Sequence, residues 1–354
     1  MRVKILKCIS VFVLFLSGSF ALSWAGGAPG IGNRFVMVTY WGDDRVAMID
    51  LEGQPGAETV FDLDVLKNGC SKPYDVKVNK KGSRAYVTCS GADKIIIIDI
   101  VSQLVAGEIP SGNGPRDIAL NSDETLAITS NSGEDTLSVI SIPERRILYK
   151  VQGVGLQPYG VALTQDEKIA VTTAWASGEA YFIELGATSG KVLGSVQVGA
   201  LPYTVIIPPG GQTAYVTVSA THSVVPIDIA TRQVQPAISV GRNPWGAAPS
   251  ADGNTIIVAN NRSNDISVLK KDTAKGPLLA EATRVALGLG GKAGGLDAEV
   301  SRKAKNAALS LDGKLGVFTD LANNELVLID LTSGTLMQKS IAVGKAPYGL
   351  EFVR

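Results

Sequence analysis

Short apolar runs with the composition of β-strands recur along the chain in groups of four. The group that follows Pro73 shows the order most clearly, with runs at Tyr74–Val78, Ala85–Thr88, Ile95–Asp99 and Val105–Ile109. Polar and glycine-containing turns separate these runs, as is typical of antiparallel strands. The third run is apolar on both faces, which favours a sheet packed between two others. The pattern predicts an all-β chain, without helices of useful length between residues 34 and 274.

A three-residue marker opens each group, and it consists of proline, a bulky aromatic or cationic residue, and a small or polar one. Its copies are Pro73-Tyr74-Asp75, Pro115-Arg116-Asp117, Pro158-Tyr159-Gly160, Pro202-Tyr203-Thr204, Pro244-Trp245-Gly246, the degenerate Ala304-Lys305-Asn306, and Pro347-Tyr348-Gly349. The middle residues are spaced by 42, 43, 44, 42, 60 and 43 positions. Four strands in a repeat of about 40 to 45 residues are the signature of a β-propeller blade.

The two ends of the chain support a ring of seven blades. The last marker is followed by one strand only, whereas residues 34–64 supply three strands without a first one. We therefore predict one domain over 34–354, a seven-bladed propeller of four-stranded antiparallel blades in which the C-terminal strand closes the first blade. Such closure removes exposed sheet edges. The step of 60 residues predicts an insertion at 275–303.

The N-terminal 25 residues have the pattern of a signal peptide. Basic residues at 2, 4 and 7 precede the apolar run Ile9–Leu16, and Ser23-Trp24-Ala25 places small residues where a signal peptidase cleaves. We expect residues 1–25 to be removed on export to the periplasm or an equivalent compartment, and 26–33 to be a short linker. No other segment approaches the 18 apolar residues of a membrane span.

The charge balance disfavours nucleic acid as a partner. Without the three basic residues of the leader, 30 positive side chains remain against 33 negative ones. Nucleic-acid binders concentrate positive charge instead.

Two cysteines remain after the leader, Cys70 and Cys89, in a compartment that permits disulfides. Counting outward from a hairpin turn at 79–82 brings Cys89 opposite Lys72, two residues from Cys70. We expect these cysteines to form a disulfide, and the alternative is a pair of free buried thiols.

The residue types disfavour several kinds of catalytic site. His222 is the single histidine, so two cysteines and one histidine make no four-ligand zinc site, and no Cys-x-x-Cys-His motif attaches a haem. We expect no cofactor and no catalytic residues. A repeated aspartate ends the third strand of several blades, at Asp50, Asp99, Asp228 and Asp330, where its side chain caps the following turn. We interpret His222 as a solvated loop residue.

Strand direction places the markers at one mouth of the central channel. Because the loops that enter each first strand and those between second and third strands emerge at the same end, they form one face. That face gathers Trp41, Tyr74, Arg116, Tyr159, Trp175, Tyr203, His222, Trp245, Lys305 and Tyr348, with Asn260 and Asn261. Tyr, Trp and Arg are enriched in binding hot spots. The face is either a partner-docking surface or packing between blades, with Arg116 and Lys305 stacked on neighbouring rings.

The repeats resemble the YVTN family of seven-bladed propellers. The similarity rests on Tyr86-Val87-Thr88-Cys89, Tyr215-Val216-Thr217-Val218, Ile257-Val258-Ala259-Asn260 and Val327-Leu328-Ile329-Asp330, and covers about 34–354. This resemblance implies an exported or surface binding protein. Some relatives with this blade plan are cofactor-free subunits of periplasmic redox complexes, such as amine dehydrogenase and hydrazine synthase.

We therefore expect a non-catalytic binding or assembly subunit of an exported complex whose haem- or quinone-bearing partners carry the chemistry. The alternatives are a propeller lactonase or hydrolase, with a channel site drawn from Asp75, Asp117, Arg116 and Glu351, and a surface ligand-binding protein.

Overall fold

The computed structural model describes residues 33–53, 59–271, 278–287 and 303–354. These residues form seven four-stranded antiparallel sheets. The first strands of the seven sheets neighbour one another in a closed circle, which leaves a channel along the centre. The chain is a seven-bladed β-propeller, as the marker spacing predicts.

Blades 1 to 4 contain sixteen strands. Blade 1 consists of β1 (Phe35–Tyr40), β2 (Arg45–Asp50), β3 (Thr59–Asp64) and β28 (Pro347–Phe352). Blade 2 consists of β4 (Pro73–Val78), β5 (Arg84–Cys89), β6 (Lys94–Asp99) and β7 (Leu104–Pro110). Blade 3 consists of β8 (Pro115–Leu120), β9 (Leu126–Asn131), β10 (Thr136–Ser141) and β11 (Arg146–Val151). Blade 4 consists of β12 (Pro158–Leu163), β13 (Ile169–Ala174), β14 (Glu179–Leu185) and β15 (Gly190–Gln197).

Blades 5 to 7 complete the ring. Blade 5 consists of β16 (Pro202–Ile206), β17 (Thr213–Val218), β18 (Ser223–Asp228) and β19 (Ile238–Ser239). Blade 6 consists of β20 (Pro244–Pro249), β21 (Thr255–Asn260), β22 (Asp265–Lys271) and β23 (Leu279–Ala286). Blade 7 consists of β24 (Ala304–Leu309), β25 (Leu315–Asp320), β26 (Glu325–Asp330) and β27 (Thr335–Ala342). A 3₁₀ helix at Leu66–Asn68 leads from blade 1 to blade 2, and no helix in these ranges is long and apolar enough to cross a membrane.

The C-terminal strand closes the ring, as predicted. β28 pairs with β1, with Val36 opposite Phe352 and Val38 opposite Leu350. The first blade is therefore built from both ends of the propeller, and this pairing covers the inner edge of β1.

Burial follows the position of each strand in its blade. Second strands such as β5 are buried along nearly their whole length, because neighbouring blades cover both faces of the sheet. Fourth strands such as β7 alternate between exposed and half-buried residues, because one side of the strand faces solvent. The doubly apolar runs in the sequence correspond to strands between two blades.

At five consecutive blade boundaries, a side-chain hydroxyl on the second strand of one blade forms a hydrogen bond to the next blade. It donates to the carbonyl oxygen of the middle marker residue in the next blade. The donor and acceptor pairs are Thr39 with Tyr74, Thr88 with Arg116, Ser130 with Tyr159, Thr173 with Tyr203, and Thr217 with Trp245. The same hydroxyl accepts the third marker residue's N–H within its own blade, as Thr173 does from Gly160. Each hydroxyl thus fixes the inner strands of two blades at once.

The disulfide between Cys70 and Cys89 is present, with the two Cα atoms 5.2 Å apart. The register between β4 and β5 differs by one residue from the one that the sequence predicts. Cys89 lies opposite Pro73 rather than Lys72, because Asn79 pairs with Arg84 to widen the turn and a bulge follows Pro73. The bond ties the start of β4 to the end of β5.

Part of the predicted insertion belongs to the blade itself. Within 275–303, residues Leu279–Ala286 form β23, the fourth strand of blade 6, with Leu279 and Val285 buried. The polar residues between those two face outward on the solvent side of the strand, which hid the strand pattern in the sequence. The rest of that segment, the leader at 1–25 and the linker except Asn33 lie outside the described residues.

We expect Thr173→Val to destabilise the propeller. The substitution keeps the shape of the side chain but leaves the buried Gly160 N–H and Tyr203 carbonyl without their shared partner. The loss should be about 2–3 kcal/mol in the free energy of unfolding, measured by urea denaturation. Thr213→Val, at the half-buried start of β17, is the matched control and should change stability by about 0.5 kcal/mol or less. Equal effects of the two substitutions would contradict a special role for the bridging hydroxyl.

Candidate functional site: the channel cap and the cavity beneath it

The middle marker residues converge at one end of the channel and form what we call the channel cap. Its members are Tyr74, Arg116, Tyr159, Tyr203, Trp245, Lys305 and Tyr348, each the second residue of an inner strand. Lys305 is 7% exposed and is the most buried of the seven, whereas the others are half-buried. The hydroxyl bridges explain this convergence, since they fix the backbone carbonyl of most of these residues.

The aromatic members of the cap contact each other across the channel. Ring centroids lie 5.0 Å apart for Tyr74 and Tyr348, 6.2 Å for Tyr74 and Tyr159, and 5.2 Å for Tyr159 and Tyr203. Tyr203 and Trp245 are 4.9 Å apart. Tyr74 and Tyr159 come from blades that are not adjacent, so the cap spans the channel rather than lining its wall.

Two cations stack on these rings. The Arg116 guanidinium lies 4.7 Å from the Tyr74 ring and 5.2 Å from the Tyr159 ring, and its Nε donates to the Ser132 hydroxyl at 2.8 Å. The Lys305 Nζ lies 3.9 Å from the Trp245 ring. Cation–π contacts of this kind hold both side chains in the cap.

Four aromatic rings surround the Lys305 ammonium. Beyond Trp245, the Nζ lies 4.7 Å from the Tyr348 ring, 5.0 Å from Tyr203 and 5.5 Å from Tyr74. Within the part of the chain that the structure describes, Lys305 has no carboxylate within ion-pair distance, and its nearest polar contact is the Tyr74 hydroxyl at 3.5 Å. Burial raises the pKa of Tyr74 and raises that of Tyr203 to about 12, so both phenols remain neutral at physiological pH.

This environment makes Lys305 a weak base. Burial, reinforced by the positive charge of Arg116, lowers the pKa of Lys305 to about 7, although the Asp75 carboxyl acts in the opposite direction. Desolvation disfavours a charged amine that has no counter-ion. Near neutral pH, Lys305 is therefore partly an uncharged amine.

Two tryptophans in the turns between second and third strands lie next to the cap, on the face where the sequence predicts them. Trp41 stacks on Tyr348 with centroids 5.9 Å apart, and the Lys72 ammonium lies 5.5 Å from the Trp41 ring. The ring centroids of Trp175 and Tyr159 lie 6.1 Å apart. We call Trp41, Trp175 and the neighbouring His222 turn the rim of the cap. Trp41 is 36% exposed and is the large apolar side chain that the rim leaves in solvent.

His222 has a structural partner that the sequence did not reveal. It adopts a left-handed backbone conformation, with φ of 54°, and its Nδ1 lies 2.9 Å from the Ser219 carbonyl oxygen and 3.2 Å from the Asn243 backbone nitrogen. This ring nitrogen donates to Ser219 in one tautomer and accepts the Asn243 N–H in the other. In the corresponding turns Asp44, Asp93 and Asp135 also have positive φ, and their carboxylates accept an N–H from the loop that enters the next blade. In the tautomer whose Nδ1 carries no proton, the histidine takes the place of these aspartates at the boundary between blades 5 and 6, and its side chain is exposed.

Asn260 and Asn261 belong to the packing between strands and blades. Asn260 is fully buried and donates to Asp265 and to Ser267. Asn261 donates to the Ala304 carbonyl at 3.2 Å, across the boundary between blades 6 and 7. These amides are unavailable to a partner at the rim.

A cavity of about 870 Å³ occupies the channel beneath the cap. Its lining runs from cap residues, including Lys305, to the exposed turns after the first strands, such as Lys80, Ser122 and Pro209. The cavity thus opens on the face opposite the cap. Its walls differ, because blades 1 to 3 contribute charged side chains whereas blades 4 to 7 contribute mainly small and apolar ones, among them Gly160, Ala162, Gly246, Ala247 and Ala307.

The charged wall is built from adjacent inner strands. The Lys77 Nζ lies 3.5 Å from a Glu351 carboxylate oxygen and 3.8 Å from Oδ2 of Asp75. That Oδ2 atom is buried and finds no hydrogen-bond partner among the residues that the structure describes. Burial raises the pKa of Asp75 well above its usual range, and the nearby Asp117 carboxyl adds to this shift while Lys77 opposes it. Asp75 is therefore a carboxyl that holds its proton more tightly than a surface aspartate.

Lys77 has the opposite environment to Lys305. Burial alone would lower the pKa of Lys77, but the Asp75 and Glu351 carboxylates outweigh it, so the pKa lies above the usual lysine value. Two of the lysines that line the cavity therefore differ in charge, because Lys77 is held as an ammonium and Lys305 is readily deprotonated.

Of the four residues predicted for a channel site, the structure brings three together. Asp75, Asp117 and Glu351 line the cavity, whereas Arg116 is held in the cap by Ser132 and two tyrosines. Lys77 completes the charged wall, and it was missed because its spacing to Glu351 becomes visible only when the two chain ends meet. Among the described residues, no group of three His, Cys, Asp or Glu side chains is arranged to hold a metal ion.

The family model of the YNCE-like β-propellers matches residues 32–249 and 83–293. A ring of seven four-stranded blades with repeated markers agrees with that match. The chain belongs to the YNCE-like β-propeller family. No curated protein matches it in sequence.

Several solved structures share the fold at low sequence identity. A functionally unknown protein from Desulfotomaculum acetoxidans is 15% identical with a TM-score of 0.75, over 91% of this chain and 99% of that one. A chain of hydrazine synthase from Kuenenia stuttgartiensis is 18% identical with a TM-score of 0.67, over 79% and 89%. A putative 6-phosphogluconolactonase from Bacteroides fragilis is 14% identical with a TM-score of 0.71, over 93% and 100%. These likenesses show the fold.

We expect the buried amine of Lys305 to make stability depend on pH. The unfolded chain keeps this proton up to about pH 10, whereas the folded protein releases it at about pH 7, so unfolding takes up a proton in between. Relative to Lys305→Met, the wild-type free energy of unfolding should rise by up to about 1.4 kcal/mol per pH unit across this window. Urea denaturation at pH 7.5 to about 9.5 measures the slope.

Lys77→Met is the matched control for this measurement. Because the folded pKa of Lys77 is raised, it titrates in neither state across that window, and the variant should run parallel to the wild type. Parallel curves for Lys305→Met as well would show that Lys305 keeps an ordinary lysine pKa in the cap.

Proposed function

We propose that this protein is an exported, non-catalytic binding and assembly subunit of a multiprotein complex whose redox chemistry belongs to haem- or quinone-bearing partners. The observation that supports this proposal best is the exposed Trp41 stacked on the channel cap. A tryptophan held at the surface by stacking is the type of side chain that dominates binding energy when a partner covers it.

The packing of the cap makes the rim rigid. Trp41 stacks on Tyr348, and its backbone N–H donates to the Ala346 carbonyl at 3.0 Å, so two contacts tie the turn to the loop that enters β28. A pre-ordered surface loses little conformational entropy on binding. Lys72 beside the indole supplies a cation at the edge of the same surface.

We propose that the two alternatives for this face, packing between blades and partner docking, apply to different residues. Trp245 contacts Tyr203 and Lys305 inside the cap, which suits packing between blades. Trp41 remains partly in solvent, which suits docking. The fold likeness to a hydrazine synthase chain adds that this architecture occurs in a redox enzyme.

We expect the native protein to elute as part of an assembly larger than the 37.0 kDa chain in size-exclusion chromatography of native extract, with partners identified by mass spectrometry. Trp41→Ala should weaken the complex by about 2 kcal/mol, or roughly 30-fold, because a hot-spot side chain is lost. Its melting temperature should change little.

Two further variants distinguish docking from packing. Leu104→Ala removes a 62% exposed apolar side chain from the outer strand β7, away from the rim, and should leave the complex intact. Trp245→Ala should lower the melting temperature, because it opens the cap. A protein found only as a free monomer, or full partner binding by Trp41→Ala, would overturn the proposal.

A second function, hydrolysis in the channel, is favoured by the charged wall. A buried carboxyl with a raised pKa beside a lysine–glutamate ion pair is a general acid in a cavity of ligand size. The fold likeness to a putative 6-phosphogluconolactonase makes a sugar lactone the natural substrate to test.

If this second function is correct, the purified protein hydrolyses 6-phosphogluconolactone faster than the spontaneous rate. Asp75→Asn should then reduce the enzymatic rate at least about tenfold, because a positioned acid or base contributes on the order of 10²-fold or more. Because Trp41 lies on the face opposite the cavity mouth, the Trp41→Ala variant should hydrolyse the lactone at the wild-type rate. A rate equal to the spontaneous reaction would exclude this function.

A further inference from the structure

Lys305 combines three features that the docking proposal does not use. Its side chain is buried, it contributes to the end wall of the cavity, and the described residues place no carboxylate within ion-pair distance of its Nζ. The charge nearest to it in the cap is another cation, Arg116. A lysine that is desolvated and lies beside a positive charge is activated as a nucleophile.

We infer that Lys305 is a carbonyl-capturing amine, whose Nζ forms a reversible imine with small aldehydes or ketones that enter the channel cavity. The Nζ lone pair adds to the carbonyl carbon while the carbon–oxygen π bond breaks, and one proton from Nζ passes to the oxygen. The resulting carbinolamine loses its hydroxyl and the second Nζ proton as water, which leaves a carbon–nitrogen double bond. No electrons are transferred, and hydrolysis returns the free lysine.

The surroundings of the Nζ suit both halves of this reaction. The Tyr74 hydroxyl, 3.5 Å away, is neutral and is a hydrogen-bonding group close enough to assist proton transfer. The rings of Trp245, Tyr203 and Tyr348 exclude water from the amine, which limits hydrolysis of the imine. The pKa of about 7 leaves about half of Lys305 uncharged at neutral pH, against about one part in a few thousand for an ordinary lysine.

The cavity restricts which carbonyl compounds fit. Its volume of about 870 Å³ admits a metabolite-sized molecule from the face opposite the cap. Lys77, Asp75 and Glu351 on one wall offer hydrogen bonds to a polar substituent, while the opposite wall of small residues accepts an apolar edge. Small hydroxylated or otherwise polar aldehydes match this division.

Lys77 provides an internal control because it lines the same cavity. Its side chain is 36% exposed, so a reagent in the channel reaches it at least as easily as Lys305. Its ammonium is held by Glu351 and Asp75, and a protonated amine does not attack a carbonyl. A comparison of these two lysines therefore separates chemical activation from simple access.

The experiment incubates the folded protein with glycolaldehyde at pH 7 in the presence of sodium cyanoborohydride, which delivers hydride to the imine carbon and fixes the adduct as a secondary amine. Peptide mass spectrometry then follows the rate of modification at each lysine. We expect Lys305 to be modified at least tenfold faster than Lys77 and than the exposed Lys270. In urea, where the cap is lost, the rates should become equal.

Lys305→Arg keeps the cation in the cap but forms no imine, so the fast adduct should disappear from this variant and persist in Lys270→Met, whose changed side chain is exposed and lies outside the cavity. The wild-type comparison of Lys305 with Lys77 needs no variant and remains decisive if Lys305→Arg does not fold. Modification of Lys305 no faster than that of Lys77, or only after unfolding, would overturn the inference. Neither result depends on whether the rim binds a partner.

Discussion

The ring of blades depends on a hydroxyl that bonds in two directions. On the second strand of a blade, Thr173 accepts the Gly160 N–H of its own inner strand and donates to the Tyr203 carbonyl of the next. Buried polar groups are costly unless they are paired, so one side chain here satisfies two backbone groups in places that strand pairing does not reach. Repetition of this bond fixes the distance between neighbouring inner strands around the channel.

That bond also decides what fills the channel. Because the carbonyls of five middle marker residues bond to the preceding blade, their side chains are placed at the channel end. Residues from non-adjacent blades meet there. Aromatic rings fill the opening, and the two cations in the cap gain cation–π contacts in place of water. The cap is therefore a structural element first, and the exposed Trp41 of its rim is where we propose that a partner docks.

The marker period and strand direction were enough to predict the blade count, the closing strand and the face on which Tyr74, Trp41 and Lys305 lie. They were not enough to predict that the Tyr74 ring reaches across the channel to Tyr159. The spacing of the markers shows at which end of the channel a side chain lies, but it does not show towards which blade that side chain points. The ion pair of Lys77 with Glu351 joins opposite ends of the chain, and it follows from closure rather than from any local motif. The pKa of Lys305 depends on burial by side chains from four other blades. The sequence of one repeat therefore could not predict this pKa.

The regular repeat is interrupted at one boundary of the ring. At the boundary between blades 6 and 7, Ala259 replaces the bridging hydroxyl, Ala304 replaces the marker proline, and Lys305 replaces the aromatic residue. Asn261 restores one contact by donating to the Ala304 carbonyl. These three departures from the repeat fall at one boundary, and they coincide with a buried amine at the end of the cavity. Sites that break an otherwise consistent structural rule are where function is expected. The imine chemistry that we infer for Lys305 therefore belongs to this boundary rather than to the regular part of the ring.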